Sequence, residues 1–428
     1  RSRVLTPARR LRYEWSIRKC RPYPFPGISA MRRLLLFAAM GLVSTAPVAA
    51  QDTSSELVAR VLRTTPLIDG HNDLPWEIRN SADRDVGAYD LRGVVPGHTD
   101  LARLRAGGVG GQFWSIYVPC DAVAEGAAKV QLEQIDIAQQ IFRTYPDAFG
   151  EAFSASDVER EFGAGRIASL MGMEGGHVIE NSLGALRAYY HAGARYMTLT
   201  HGCNTDWADS ATDDPVHGGL TAFGREVVRE MNRLGMLVDL SHTSPATMHD
   251  VLDIAEAPVI YSHSSARALT DHPRNVPDDV LRRLPDNGGV VMVTFVPGFV
   301  SEALRTYEGP PAGAPRAHLT DVADHIEHIR DVAGIEHVGL GGDFDGISTV
   351  VQGLEDVSTY PALLEELERR GWTESELRAL VGGNVLRAMR DAEAAARRAQ
   401  RERGPSTATI EELDGRGTMG AAGAGSAP

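Results

Sequence analysis

Lysine is almost absent from this sequence: Lys19 and Lys129 are the only two among 43 basic residues in a chain of 428. Such reliance on arginine points to a GC-rich bacterial genome, for which an exported protein is expected in the periplasm or secreted. Basic charge as a whole is short. The formal charge is −14, and beyond the first 50 residues 33 basic side chains face 56 acidic ones, a charge of −23. So acidic a chain argues against nucleic acid or an anionic membrane surface as a partner. Cysteine is scarce too: beyond residue 50 only Cys120 and Cys203 remain. An even count in an exported protein favours a disulfide, although spacing alone equally allows two free thiols. There is no short internal repeat and no Gly-rich phosphate loop of dinucleotide type; Gly339, Gly341 and Gly342 close a strand that leads to Asp343.

The two ends differ from the rest. Glu14 alone offsets ten basic residues in the first 50. Met31-Arg32-Arg33 followed by Leu34-Leu35-Leu36-Phe37-Ala38-Ala39-Met40 reads as a secretory signal, with small residues around Val48-Ala49-Ala50 for cleavage. Its apolar run is short for a membrane span. Residues 31–50 are therefore expected to be a signal peptide. Residues 1–30 read as upstream sequence translated from a wrongly chosen start, the alternative being a basic disordered arm. Residues 51–392 are long enough for one large barrel domain. Residues 393–428 pass from Ala/Arg into Gly, Ser, Thr and Pro and are expected to be a disordered tail with no lipid-anchor signal.

What the middle of the chain does have is six apolar runs, each ending on a residue that can hold a metal or move a proton. They lead to His71 and Asp73, to Glu174, to His201, to His242, to His263 and to Asp343. Two further runs, Gln112-Phe113-Trp114-Ser115-Ile116-Tyr117 and Val290-Val291-Met292-Val293-Thr294-Phe295, bring the strands to eight, near 67, 112, 169, 196, 237, 259, 290 and 338. Helical patterns alternate with them. Phe223, Val227, Val228, Met231 and Leu234 fall at helical spacing with Gly235 as the cap, and Ser244-Pro245 opens another helix. Asp324-His325-Ile326-Glu327-His328-Ile329 reads as a helix with its histidines on a solvated face. Pro361 to Arg370 and Glu374 to Arg390 read as closing helices. The alternation predicts a (β/α)8 barrel whose strand ends converge on one site.

His71 and Asp73, at i and i+2 of an extended chain, face alike and can grip one divalent ion. Glu174 can bridge to a second ion on His242 and His263. Zinc accepts such ligands with open positions, and manganese and cobalt fit the same residues. Two ions roughly 3.5–4 Å apart make hydroxide available near neutral pH. That is the chemistry of a metal-dependent hydrolase.

Longer stretches carry a resemblance. Asp69-Gly70-His71-Asn72-Asp73-Leu74-Pro75-Trp76, Glu174-Gly175-Gly176-His177, Leu199-Thr200-His201-Gly202-Cys203-Asn204-Thr205, Ser262-His263-Ser264-Ser265-Ala266, Arg274-Asn275-Val276-Pro277-Asp278-Asp279 and Gly341-Gly342-Asp343-Phe344-Asp345-Gly346 resemble the hallmark stretches of the membrane (renal) dipeptidases. That family belongs to the metal-dependent amidohydrolase superfamily. The resemblance runs from about Ser55 to Arg390. It implies two zinc ions per chain, one on His71, Asp73 and Glu174 and one on Glu174, His242 and His263. It also implies a transition-state role for His201, recognition of the substrate carboxylate by Arg274 and a catalytic or amine-binding role for Asp343. Trp76 is a candidate pocket wall. Cys120 and Cys203 match a disulfide of the mammalian enzymes, and a homodimer is the family's expectation. One departure is local: where mammalian members carry tyrosines, this chain has Val296-Pro297-Gly298-Phe299.

The expected activity is hydrolysis of free dipeptides through a metal-bridging hydroxide, with tolerance of a C-terminal D-residue. Amide hydrolysis needs an oxyanion donor such as His201, a fork such as Arg274 for the terminal carboxylate, and a proton carrier such as Asp343. The rivals are another binuclear amidohydrolase, a lactonase or N-acyl amino acid deacylase, and a catalytically silent peptide-binding barrel. Metal content and a dipeptide panel separate the three.

Overall fold

The computed structural model describes residues 55–415. The expectations for residues 1–50, signal peptide included, and for 416–428 lie outside the described residues. Among the described residues nine strands share one sheet: β1 Leu67–Asn72, β2 Val109–Tyr117, β3 Phe149–Glu151, β4 Ile167–Glu174, β5 Ala194–Thr198, β6 Leu237–Asp239, β7 Ile260–Tyr261, β8 Val290–Val293 and β9 Val338–Leu340. All of their pairings are parallel. β2 pairs with both β1 and β4, so the order β2-β1-β9-β8-β7-β6-β5-β4 closes on itself. The eight apolar runs are the eight staves of a (β/α)8 barrel. The extra strand, β3, pairs with Ile167–Ser169 of β4, in line with β5, which takes Met171–Met173. At three residues it is too short to show in a hydrophobic pattern.

Parallel strands are covered on both faces, which is why these runs are apolar throughout rather than alternating. Ile68, Phe113, Leu170, Leu237 and Met292 belong to one cluster, while their neighbours Leu67, Trp114, Met171, Val238 and Val291 belong to another. The first five strand residues point into the barrel and the second five toward the surrounding helices. Helix boundaries follow their sequence signals. Ser244 Oγ accepts the Thr247 N–H with Pro245 in the first turn, and Gly235 ends the helix Ala222–Leu234 in the left-handed region. No helix among the described residues is long and apolar enough to cross a membrane.

The structure corrects two expectations. Residues 393–415 are folded. The last barrel helix spans Asn384–Glu402 and buries Ala392, Ala395, Ala396 and Ala399, a helical stripe built of alanine and so only weakly apolar in sequence. Beyond it Arg187 donates to the Ser406 carbonyl at 2.9 Å and the Ser406 N–H donates to Glu230 at 3.3 Å. A short helix, Ile410–Asp414, then buries Ile410, and Asp414 accepts the Phe223 N–H at the start of Ala222–Leu234. Second, His325 is not on a solvated face. It is 1% exposed on the helix Leu319–Ala333, whereas His328 is half-buried beside Asp278.

If Ile410 anchors the C-terminal segment, Ile410→Asp should release it, because a lone carboxylate cannot stay buried without a partner. Limited proteolysis is expected to cut the variant between residues 403 and 415 well before the barrel. Cleavage at the wild-type rate would count against this docking.

Candidate active site

The side chains singled out from the sequence gather at the ends of the strands, and mostly just beyond them. Glu174 is the last residue of β4, but His201, His242, His263 and Asp343 lie two or three residues past β5, β6, β7 and β9. His71 and Asp73 do converge, with Nε2 and Oδ2 3.1 Å apart. They do so for a different reason than strand parity. The register of β1 against β2 shifts between Asp69 and Asn72, and Asp73 already stands at the start of the helix Leu74–Ser81, its side chain making no capping bond and left free for the site. A local irregularity of this kind re-aims side chains at a barrel rim. His242, Asp343 and Asp345 all adopt positive φ, at 68°, 63° and 64°. That conformation is unfavourable for non-glycine residues, and the surrounding hydrogen bonds hold it.

Two buried aspartates supply much of that hold. Asp69 accepts the N–H groups of His71 and Gly342, clasping β1 to the loop after β9. Asp239 accepts those of Ser241 and Ser262, clasping the loops after β6 and β7. Neither aspartate stood out from the sequence as functional. The available signal was a buried carboxylate two or three residues before a histidine.

Hydrogen-bond accounting shows what the centre requires. The Tyr196 hydroxyl donates to the Gly70 carbonyl at 3.2 Å, so it accepts from His71 Nδ1, 2.9 Å away. His71 Nε2 is then a bare lone pair, 3.1 Å from Asp73 Oδ2 and 3.4 Å from Glu174 Oε1. Ser262 Oγ donates to Asp239 and thus accepts from His263 Nδ1 at 2.8 Å. His263 Nε2 in turn faces Glu174 Oε1 at 3.3 Å and His242 Nε2 at 2.9 Å, and His242 Nε2 lies 3.0 Å from Glu174 Oε1. Lone pairs crowded against carboxylate oxygens repel unless a cation lies among them. The residues fit a metal: imidazole nitrogens with fixed tautomers and carboxylate oxygens in a buried cluster.

The electrostatics of Glu174, His242 and His263 agree. Burial alone would raise the Glu174 pKa, but His71, His201, His242 and His263 hold it well below the usual carboxylate range. Burial pushes His242 and His263 well below an ordinary histidine, helped by Arg274 at the first and by His71 at the second. His71 departs from this pattern: burial works against a charge on it, yet Tyr196, Glu174 and Asp73 push its pKa well up, so that with no cation beside it the ring itself takes the positive charge the cluster requires. An ionised glutamate and neutral histidines are the states in which these groups ligate metal.

Around this centre opens a cavity of about 650 Å³ lined by Trp76, Tyr117, His201, Arg274, Phe299 and Asp343 among others. The volume suits a small ligand. Tyr117, the last residue of β2, escaped notice because its run carries no ligand. Its ring lies 4.9 Å from Trp76 and 4.8 Å from His201, forming the wall between them. Arg274 is buried, its Nη1 has no hydrogen-bond partner among the described residues, and its guanidinium rests 5.5 Å from the Phe299 ring. Burial lowers its pKa to about 10, leaving it cationic. A buried, unpartnered guanidinium is a socket for an anion. Asp345 is occupied elsewhere: its carboxylate takes the His98 N–H and is 1% exposed. Cys120 and Cys203 form a disulfide that ties the turn after β2 to the His201 loop.

The same chain matches the model for membrane dipeptidases, peptidase family M19, over residues 55–403. It belongs to that family. Dipeptidase verJ of Clonostachys rogersoniana is 46% identical over 349 residues, covering 79% of this chain and 87% of the relative. A metallo peptidase from Rhodobacter sphaeroides, solved with a phosphinate mimic of the dipeptide L-Ala-D-Ala, superposes with a TM-score of 0.69 at 29% identity, covering 77% of this chain and 99% of that one. The probable dipeptidase PvdM from Pseudomonas aeruginosa gives 0.71 at 25% identity, over 79% and 98%. The chain is a dipeptidase of a metal-dependent family, a hydrolase built on the amidohydrolase barrel.

Tyr196 carries a prediction. Replacing it with Phe removes the acceptor that fixes the His71 tautomer, and loss of such a partner typically costs about 10–100-fold in metal affinity or activity. Metal retained after dialysis, measured per chain, should fall in Tyr196→Phe while thermal stability changes little. Retention at the wild-type level would show that Tyr196 does not orient His71.

Proposed function

We propose that this dipeptidase works with two zinc ions, one held by His71, Asp73 and Glu174 and the other by Glu174, His242 and His263. The observation that supports this reading is the set of three Nε2 atoms within 3.4 Å of the single oxygen Glu174 Oε1. Bound zinc acidifies water and polarises the scissile carbonyl. Everything else falls to the side chains. Asp343 takes a proton from the attacking water and returns it to the leaving amine. Burial, with Asp73 and Glu174 nearby, holds its pKa well above the carboxylate norm, which makes it a competent acid. His201, its ring between Tyr117 and His242, donates to the oxygen that becomes negative as the carbonyl turns tetrahedral. Arg274 receives the terminal carboxylate, which restricts the enzyme to substrates that end one residue past the scissile bond. A C-terminal D-residue belongs to the proposal because the Rhodobacter relative was solved with an L-Ala-D-Ala mimic. Export belongs to it as well, since disulfides persist in oxidising compartments.

Elemental analysis should find close to two zinc-type ions per chain, with activity lost on chelation and restored by added metal. Glu174→Gln should deplete both ions together. An active enzyme with one ion or none sinks the binuclear reading.

Arg274→Ala is expected to lower kcat/KM for free dipeptides by roughly 10–1000-fold. It should also erase most of the preference for a free over an amidated C-terminus. A variant that discriminates between the two as wild type does would refute the clamp.

A further inference from the structure

Arg274 sits in the loop between β7 and β8, and its cationic head has no carboxylate within salt-bridge reach among the described residues. Nothing in the guanidinium's own contacts fixes the loop in place, so something else must. Two buried side chains hold the loop's backbone instead. His325 reaches in from the helix Leu319–Ala333: its Nδ1 accepts the Ala266 N–H at 3.0 Å, and its Nε2 lies 3.3 Å from the Val300 carbonyl and 3.4 Å from Thr270 Oγ1. Since Nδ1 is the acceptor, the ring proton is on Nε2 and is shared between these two oxygens. Asn275 adjoins Arg274 and is fully buried. Its Nδ2 donates to the carbonyls of Thr270, at 2.9 Å, and Phe299, at 2.7 Å, while its Oδ1 accepts the Ser265 N–H at 3.2 Å.

Both side chains therefore span the same two segments: the loop that carries Arg274 and the short helix Pro297–Val300 that carries Phe299. The Phe299 ring in turn stacks on His272 at 4.1 Å and lies under the guanidinium.

We infer that His325 and Asn275 form a latch that presets Arg274 for the substrate's terminal carboxylate, His325 being a positioning residue that never touches substrate. Neutral histidine suits the task because one ring offers an acceptor on Nδ1 and a donor on Nε2, here used on the Arg274 loop and on the helix Pro297–Val300. Burial lowers its pKa to about 4, consistent with that neutral form. The inference rests on the reading of Arg274 as carboxylate clamp. It adds that clamp geometry is set from the outer helix, through backbone bonds of two loops.

The test is a double-mutant cycle on kcat and KM, run with one free dipeptide and its C-terminally amidated form. His325→Leu keeps bulk and loses both hydrogen bonds. It is expected to raise KM for the free dipeptide about 10-fold, with kcat within about threefold of wild type and with unchanged metal content. KM for the amidated form should hardly move. His325→Asn, whose amide can still accept the Ala266 N–H, should recover much of the loss. In the Arg274→Ala background His325→Leu should add nothing, because the two act through one contact. If Arg274→Ala leaves the free-to-amidated preference intact, the clamp reading itself fails. If Arg274→Ala abolishes that preference but His325→Leu lowers kcat equally on both substrates, or adds its full effect to Arg274→Ala, the latch fails and the clamp stands. Should His325→Leu not fold, His325→Met and His325→Phe, which likewise lose the hydrogen bonds to Ala266 and Val300, carry the comparison: wild-type KM and preference in both would overturn the latch.

Discussion

Glu174 Oε1 lies within 3.4 Å of three imidazole Nε2 atoms, two of which are shown by their hydrogen bonds to be bare lone pairs. Such an arrangement is unstable as it stands; it needs positive charge at its centre. Much of the remaining architecture exists to keep it from relaxing. Tyr196 and Ser262 hold the proton of His71 and His263 on the far nitrogen, and Asp69 and Asp239 hold the loops that carry the rings. Even glycine placement serves it. A Cβ on Gly172 would stand 1.9 Å from the Tyr196 ring, so β4 must be bare there for the tyrosine to reach His71.

This dependence explains what the sequence could reveal. The barrel was legible because buried parallel strands leave long apolar runs, and eight of them were present. The five candidate ligands were legible because a histidine or carboxylate at the end of such a run has few structural uses. Their supporting residues were not. Tyr196 and Ser262 are ordinary side chains within apolar or serine-rich stretches, and their value lies in which hydrogen-bond partner consumes their single proton. That is a property of three-dimensional bookkeeping. His71 and Asp73 were paired correctly for an incomplete reason, since the strand breaks its register before Asp73 and a helix begins there.

The C-terminal region failed for the opposite cause. A helix that buries alanine gains little per residue and leaves no apolar run, so a reading by apolar runs passes over it even though the charged residues opposite make it clearly amphipathic. Residues 403–415 gain their order from Glu230 and Arg187, two charged side chains more than 170 positions away in sequence. The same blindness applied to His325. A polar residue on an amphipathic helix is placed on the solvent side by default, and only the position of loops from elsewhere shows that it is buried.

The centre and the substrate-facing wall are thus built on different principles. The candidate ligand side chains are fixed by strand ends and by buried carboxylates, where a change of one residue upsets a crowded cluster. Arg274, Phe299 and Val296 sit on loops tied to each other and to an outer helix, with the disulfide doing the same for the His201 loop across the cavity. Apart from the disulfide, those ties run from the side chains of His325 and Asn275 to backbone N–H and C=O groups, so the side chains of the residues they grip are free to differ. Side chains of Val296-Pro297-Gly298-Phe299 can therefore change without removing the Phe299 and Val300 carbonyls that Asn275 and His325 bind. Side chains on that wall can change without moving the strand ends and loops that carry Glu174, His242 and His263.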